Sequence, residues 1–363
     1  MISIPGYDVN EKVYEGTDSL VYRGQRKSDK KPVVLKLLNK TYPTPIELAR
    51  FNHEYRISAS LNLEGVVRVH GLEKSGNSLV MVLEDFGGES LDRIIASGPL
   101  TLTDFFTLSI RLADILGRIH QHSVMHKDIN PSNIVWNPKA DQVKIIDFGI
   151  ATELSRENPE ACNPDILEGT LRYMSPEQTG RMNREVDYRT DFYSLGITFY
   201  ELLTGILPFH AEDKMGWVHC HMARAPIEPR TVNPEIPEAI PEILYKLLAK
   251  NAEDRYQSVL GLTRDLEACR KQWQDKGLIQ DFRPGEWDVS ERFQVSQKLY
   301  GREQEVAALM DAFETVAQGH TQLMLVAGYS GVGKTSLVSE VHKPIVEKQG
   351  YFIEGKFDQF QSN

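Results

Sequence analysis

Cysteine is scarce. The 363-residue chain has three, Cys162, Cys220 and Cys269, odd in number and far apart. That excludes a disulfide framework or a zinc site of paired cysteines and fits a reducing compartment. The run His219-Cys220-His221 reads as ordinary helix or loop, because no second ligand cluster accompanies it. No apolar run approaches the roughly 20 residues that cross a bilayer. The opening Met1-Ile2-Ser3-Ile4-Pro5 lacks the charged-then-apolar layout of a signal peptide. Positive charge is not in excess either: 41 Lys and Arg against 51 Asp and Glu give a formal charge of −10, which argues against nucleic-acid binding by counterion release. Repeats and low-complexity tracts are also missing. The expectation is a soluble, cytoplasmic protein with no membrane span and no nucleic-acid partner.

What is present can build a core: 41% of residues are hydrophobic, and the length fits one large domain plus part of another. Residues 33–38 and 79–83 read as strands. The basic turn before the first (Arg26, Lys27, Lys30, Lys31) reads as a solvated hairpin. Residues 46–61 read as a helix. Thr101 and Asp104 resemble a capping box ahead of Leu108, Leu112, Ile115, Leu116 and Ile119, which recur at helical spacing. Phe192, Leu195, Phe199, Leu202 and Leu203 mark a more buried helix, and Ile243, Leu244, Leu247 and Leu248 another. Strands first and helices afterwards predict an α+β, two-lobed unit. Residues 272–297 turn polar around Pro284-Gly285 and read as a linker. Beyond it, 302–316 predicts a helix, 323–327 a buried strand, Lys334 the start of a helix and 351–354 a second strand.

Three motifs follow one another in order: His126-Lys127-Asp128 with Asn133, Asp147-Phe148-Gly149, and Ser175-Pro176-Glu177; upstream, Lys36 lies on a strand. Phosphate chemistry explains these residue types. Lys36 supplies a point charge to the α- and β-phosphates of ATP, and Glu54 is the candidate anion that holds it. Asn133 and Asp147 offer hard oxygens suited to Mg²⁺. Asp128 can accept a hydroxyl proton and orient the hydroxyl for in-line attack.

With this set, residues 7–271 resemble the eukaryotic-type protein-kinase family, and the implied fold is its two-lobed one. The resemblance implies a catalytic Asp128, metal ligands Asn133 and Asp147, and a Lys36–Glu54 pair. It also implies a Glu177–Arg255 pair, an Asp191 that braces the catalytic loop, and Glu84 and Phe86 meeting adenine through their backbones. The Gly169-Thr170-Leu171-Arg172-Tyr173 run resembles the substrate-facing loop of Ser/Thr kinases, with Thr170 contacting Asp128. The implied partner is a protein substrate with Ser or Thr. Two departures stand out. The glycine-rich pattern falls on Tyr14, Gly16, Ser19 and Val21, so one glycine remains, with Gly16 and Val21 expected to roof the nucleotide. Asn130 stands where such kinases place a lysine against the γ-phosphate, and it brings no charge. Both departures keep a nucleotide-binding pseudokinase scaffold open as the alternative. Thr152, Ser155 and Thr170 are candidate phosphosites, and Arg181, Arg184 and Arg189 read as a solvated charged face.

A second phosphate motif, Gly328-Tyr329-Ser330-Gly331-Val332-Gly333-Lys334-Thr335, follows the apolar run 323–327. In a P-loop, Gly328, Gly331 and Gly333 let the backbone cradle phosphates, Lys334 reaches them and Thr335 holds Mg²⁺. Residues 298–363 thus resemble the N-terminal part of an AAA-type ATPase, a partial α/β P-loop segment too short to bury a doubly wound sheet. A kinase followed by this module is similar to the start of large multi-sensor hybrid serine/threonine and histidine kinases, implying signal transduction and downstream domains in a longer chain.

Overall fold

A computed structural model describes residues 4–16, 18–153, 169–181, 184–290, 301–329, 332–341 and 344–345. The N-terminal lobe runs β1 (Tyr7–Glu15), β2 (Ser19–Arg26), β3 (Pro32–Leu38), α1 (Pro45–Ser60), β4 (Val69–Ser75) and β5 (Ser78–Glu84). Its five strands form one antiparallel sheet in the order β1-β2-β3-β5-β4. Helix α1 starts on a reciprocal capping box: Thr44 Oγ1 accepts the Glu47 N–H, and the Glu47 carboxylate accepts the Thr44 N–H. Pro45, fixed at a helical φ, follows the cap.

The chain then passes through β6 (Glu89–Ser90), α2 (Leu91–Ile95), α3 (Leu102–Gln121), β7 (Val124–Met125), β8 (Ile134–Asn137), β9 (Gln142–Ile145) and β10 (Thr152–Glu153). Helices α4 (Arg189–Thr204), α5 (Lys214–Ala223), α6 (Pro229–Val232), α7 (Ala239–Leu247) and α8 (Val259–Lys276) complete the C-terminal lobe. Helix α4 is buried along its whole length apart from Glu201. A helix hidden on every side belongs at the centre of a lobe; α3 and α7 pack against it, and α8 packs on α3 and α7. Thr101 caps α3 through the Asp104 N–H, 3.2 Å away. The strands-then-helices expectation holds, as do the expected helices and hairpin.

Two expectations need correction. Residues 272–276 are the last turn of α8 rather than linker, and the chain after it folds back onto the C-terminal lobe. Ile279 and Phe282 pack on the main core, and the Asp288 carboxylate accepts the N–H groups of Gln257 (2.8 Å) and Ser258 (2.9 Å). Residues 323–327 are not a buried strand: Leu323 is 96% exposed and Leu325 93%. An apolar strand is buried only when neighbours pair with it, and none does among the described residues. Helices α9 (Glu303–Ala317) and α10 (Lys334–Ser339) form where expected, whereas 351–354 lies outside the described residues.

His219-Cys220-His221 sits on α5, and among the described residues no group of three or more His, Cys, Asp or Glu side chains is placed to hold a metal ion. His221 is buried; its Nε2 donates to the Leu171 carbonyl (2.7 Å) and its Nδ1 accepts the Tyr193 hydroxyl (3.1 Å). Burial pushes its pKa down from 6.5 to about 3. The stabilising contribution of this neutral ring is complete above pH 6.5 and is lost as the pH falls toward 3, because the unfolded chain takes up a proton that the folded chain refuses. Within that window stability should drop by about 1.4 kcal/mol per pH unit from this group. Denaturant midpoints measured from pH 7 to 4 should therefore fall less steeply for His221→Gln. Parallel curves would show that the ring protonates freely in the fold.

Candidate active site

Alternation along β3 sends Val33, Leu35 and Leu37 into one apolar layer and Val34, Lys36 and Leu38 toward α1. The buried stripe of α1 is Phe51, Glu54, Ile57 and Ser58, and Glu54 is its one ionisable member. The two therefore meet: Lys36 Nζ lies 2.6 Å from Glu54 Oε1 and 3.0 Å from Asp147 Oδ2. Burial opposes the Lys36 charge, but Asp147 and Glu54 outweigh it and raise its pKa. Burial also pushes the Glu54 carboxyl up to about 7, with Lys36 pulling the other way.

The turn that carries Asp128 is fastened from below. Asp191, wholly buried on α4, accepts the N–H groups of His126 (2.9 Å) and Lys127 (2.7 Å) and bonds His120 Nε2 (2.8 Å). Burial alone would raise this carboxyl, yet the hydrogen bond and charge of His120 hold it below its ordinary range. Lys127 (φ 67°) and Asp147 (φ 65°) adopt the left-handed region, which costs a non-glycine residue about 1–3 kcal/mol. Asp191 imposes the first. Phe148, buried edge-on against the His126 ring at 4.8 Å, helps to impose the second.

Asp128 faces outward from this turn. Its Oδ1 accepts the Thr170 N–H (2.8 Å) and its Oδ2 accepts the Asn133 Nδ2 (3.0 Å). Asn133 Nδ2 also donates to the Asp128 carbonyl (2.9 Å), which leaves the amide oxygen of Asn133 as an acceptor. A cavity of about 230 Å³ lies between the lobes, bordered by Val21, Lys36, Glu54, Asn133 and Asp147, with Glu84 and Phe86 along its back. A wider hollow of about 510 Å³ beside α3 and the start of α8 holds none of these groups.

Three placements differ from expectation. Gly16 does not border the cavity, whereas Tyr14, Ser19 and Val21 do. The Tyr14 ring folds back over Gly16, where a Cβ would stand 2.6 Å from the phenol oxygen, so a side chain here would have to displace that exposed ring. Asn130 is buried behind Asp128: its Oδ1 accepts the Ser132 N–H (3.0 Å), and its Nδ2 donates to the Asp128 carbonyl (3.0 Å) and lies 3.4 Å from Thr170 Oγ1. Of the arginines read as a solvated face, Arg184 pairs with Glu340 (3.1 Å) and Arg189 with Asp187 (2.6 Å). Ser155 lies outside the described residues.

Sequence reading missed several supporting residues. His53 Nε2 meets the Ala151 carbonyl (2.9 Å), tying α1 to the chain just past Gly149. Gln178 donates to the Lys127 carbonyl (2.8 Å), and Asn137 and Lys144 contact Phe86 and Glu84. The Glu177–Arg255 pair expected from the resemblance forms, at 2.6 and 2.8 Å.

In the second motif, Lys334 Nζ donates to the carbonyls of Gly328 and Tyr329, both at 2.8 Å, so the loop closes around the ammonium. Gly333 takes φ 86° as it opens α10, Thr335 is exposed, and Gly331 lies outside the described residues.

Residues 7–268 match the protein kinase domain family. The chain belongs to the protein kinase family. Residues 298–363 of the kinase match the AAA ATPase domain. The kinase is 38% identical over 223 residues to hybrid signal transduction histidine kinase G of Dictyostelium discoideum, covering 55% of this chain and 6% of that protein. It is 30% identical to serine/threonine-protein kinase pkn3 of Myxococcus xanthus, over 73% of this chain and 50% of the relative. Serine/threonine-protein kinase PknL of Mycobacterium tuberculosis is also 30% identical, over 73% of this chain and 66% of its own length. The kinase thus spans two thirds or less of each of these relatives. No helix among the described residues is long and apolar enough to cross a membrane.

Proposed function

We propose that this kinase transfers the γ-phosphate of ATP to a Ser or Thr hydroxyl of a protein. The observation that carries the reading is the convergence of Lys36, Glu54, Asn133 and Asp147 on one cleft, with Asp128 hydrogen-bonded to Asn133 at 3.0 Å. Lys36, gripped by Glu54, would meet the α- and β-phosphates. Val21 above and the backbones of Glu84 and Phe86 behind would hold adenine. Asp128 would take the proton of the attacking hydroxyl as its oxygen bonds phosphorus and the bond to ADP breaks. The free amide oxygen of Asn133 and the carboxylate of Asp147 are a hard-oxygen pair that fits Mg²⁺. Bound there, Mg²⁺ would neutralise phosphate charge.

The Ser/Thr preference is supported by the named relatives. Labelled ATP, Mg²⁺ and a basic protein offering all three hydroxyl side chains should give label on Ser and Thr. Label confined to Tyr, or none at all, would overturn the assignment. Asn130 and Tyr14 favour a second reading, a nucleotide-binding scaffold, and binding without transfer is its signature. We further propose that the kinase works in the cytoplasm, where ATP is supplied, as part of a longer signalling chain. The AAA ATPase match that follows it supports this. In that longer chain, Gly328, Gly333, Lys334 and Thr335 would hold a second nucleotide.

A further inference from the structure

The hinge between the lobes is held by a hairpin rather than left to its own backbone. Lys144 on β9 pairs with the Glu84 carboxylate, and its ammonium sits 5.4 Å from the centre of the Phe86 ring. Asn137, the last residue of β8, donates from Nδ2 to the Phe86 carbonyl at 2.7 Å. Both residues that meet adenine are therefore tied to β8–β9. The same hairpin carries the other end of the site: Asn133 immediately precedes β8, and Asp147 comes two residues after β9. The Ile146 N–H donates to the Asn133 carbonyl (2.9 Å) and closes the hairpin's base.

We propose that Lys144 and Asn137 are positioning residues that fix the distance between the adenine-facing hinge and the phosphate-facing pair Asn133 and Asp147. The hairpin acts as a gauge that ties the two ends of the cleft to one another. This inference rests on reading the cleft as an ATP site. A ligand that touches one end only, such as adenosine, does not sense the gauge. A ligand that must reach both ends at once does, and misplacement near 1 Å can cost an order of magnitude or more.

Calorimetric titration with ATP–Mg²⁺ and with adenosine tests this. Lys144→Met keeps the aliphatic stem and removes the charge. Asn137→Asp keeps the oxygen that accepts the Ala140 N–H (3.1 Å) and removes the amide donor, so a folding failure in one variant leaves the other. In each, the dissociation constant for ATP should rise about tenfold while that for adenosine changes less than about twofold. The KM for ATP should rise with kcat near the parent value, and Lys144→Arg should restore ATP affinity. Equal losses for ATP and adenosine would mean local damage to the hinge and would overturn the gauge, as would no loss at all. A parent protein that binds adenosine but not ATP would overturn the ATP reading itself, and the gauge with it.

Discussion

Asp128→Asn should reduce phosphate transfer by about 10²–10⁴-fold, the usual contribution of a positioned proton acceptor. The substitution nearly preserves shape, and one amide oxygen can still accept the Thr170 N–H. What disappears is an oxygen basic enough to take the hydroxyl proton, and with it one acceptor for Asn133 Nδ2, which keeps its bond to the backbone carbonyl of residue 128. Because Lys36, Asn133 and Asp147 stay in place, ATP should bind within about twofold of the parent, which separates lost chemistry from lost binding. Transfer measured alongside ATP affinity and a thermal melt makes the distinction. Undiminished transfer would move the acceptor elsewhere; loss of binding and melting temperature together would give Asp128 a structural role instead.

Arg255→Met should be the most destabilising of the substitutions considered, by about 3–5 kcal/mol. The guanidinium is wholly buried, makes both bonds to Glu177, and donates to the carbonyls of Arg189 (3.1 Å), Ala249 (2.8 Å) and Lys250 (3.1 Å). Burial pushes the Glu177 carboxyl up, and Arg255 more than offsets it, so its pKa is lowered in the fold. Methionine fills the space and leaves that carboxylate charged without its cation. Because the depressed Glu177 contributes stability above its unfolded pKa of about 4.5 and loses it as the pH falls through the folded value, the variant's deficit should be largest near neutrality and shrink in acid. Adding Glu177→Gln should recover part of the loss. Denaturant unfolding of both single variants and the pair gives the coupling directly, and strict additivity would contradict it.

The chemistry of the cleft was legible because each of its groups is short-range and chemically particular. A lysine on a strand, a glutamate on the next helix and an acid before Phe-Gly each have few alternative uses. The supports were harder to see. Asn137 lies 51 residues from Phe86 and Lys144 lies 60 from Glu84, and nothing local to either end announces the partner. The contact between Gly16 and the Tyr14 ring, two positions back, has no signature in the glycine pattern itself. The run 323–327 is hydrophobic enough for a core, but burial depends on strands that must come from elsewhere in the chain. Polar 272–288 read as linker because docking through a carboxylate such as Asp288 leaves no apolar period behind it.

His53 and Glu54 are neighbours on α1, so one rigid rod carries the grip on Lys36 and the grip on the Ala151 carbonyl. Neither can let go alone by a turn of the helix. An outward swing of α1 would take one of the two carboxylates from the lysine, leaving it Asp147, and would release the Ala151 carbonyl in the same movement. Any displacement of that rod would therefore be felt at the lysine and at the Ala151 carbonyl together.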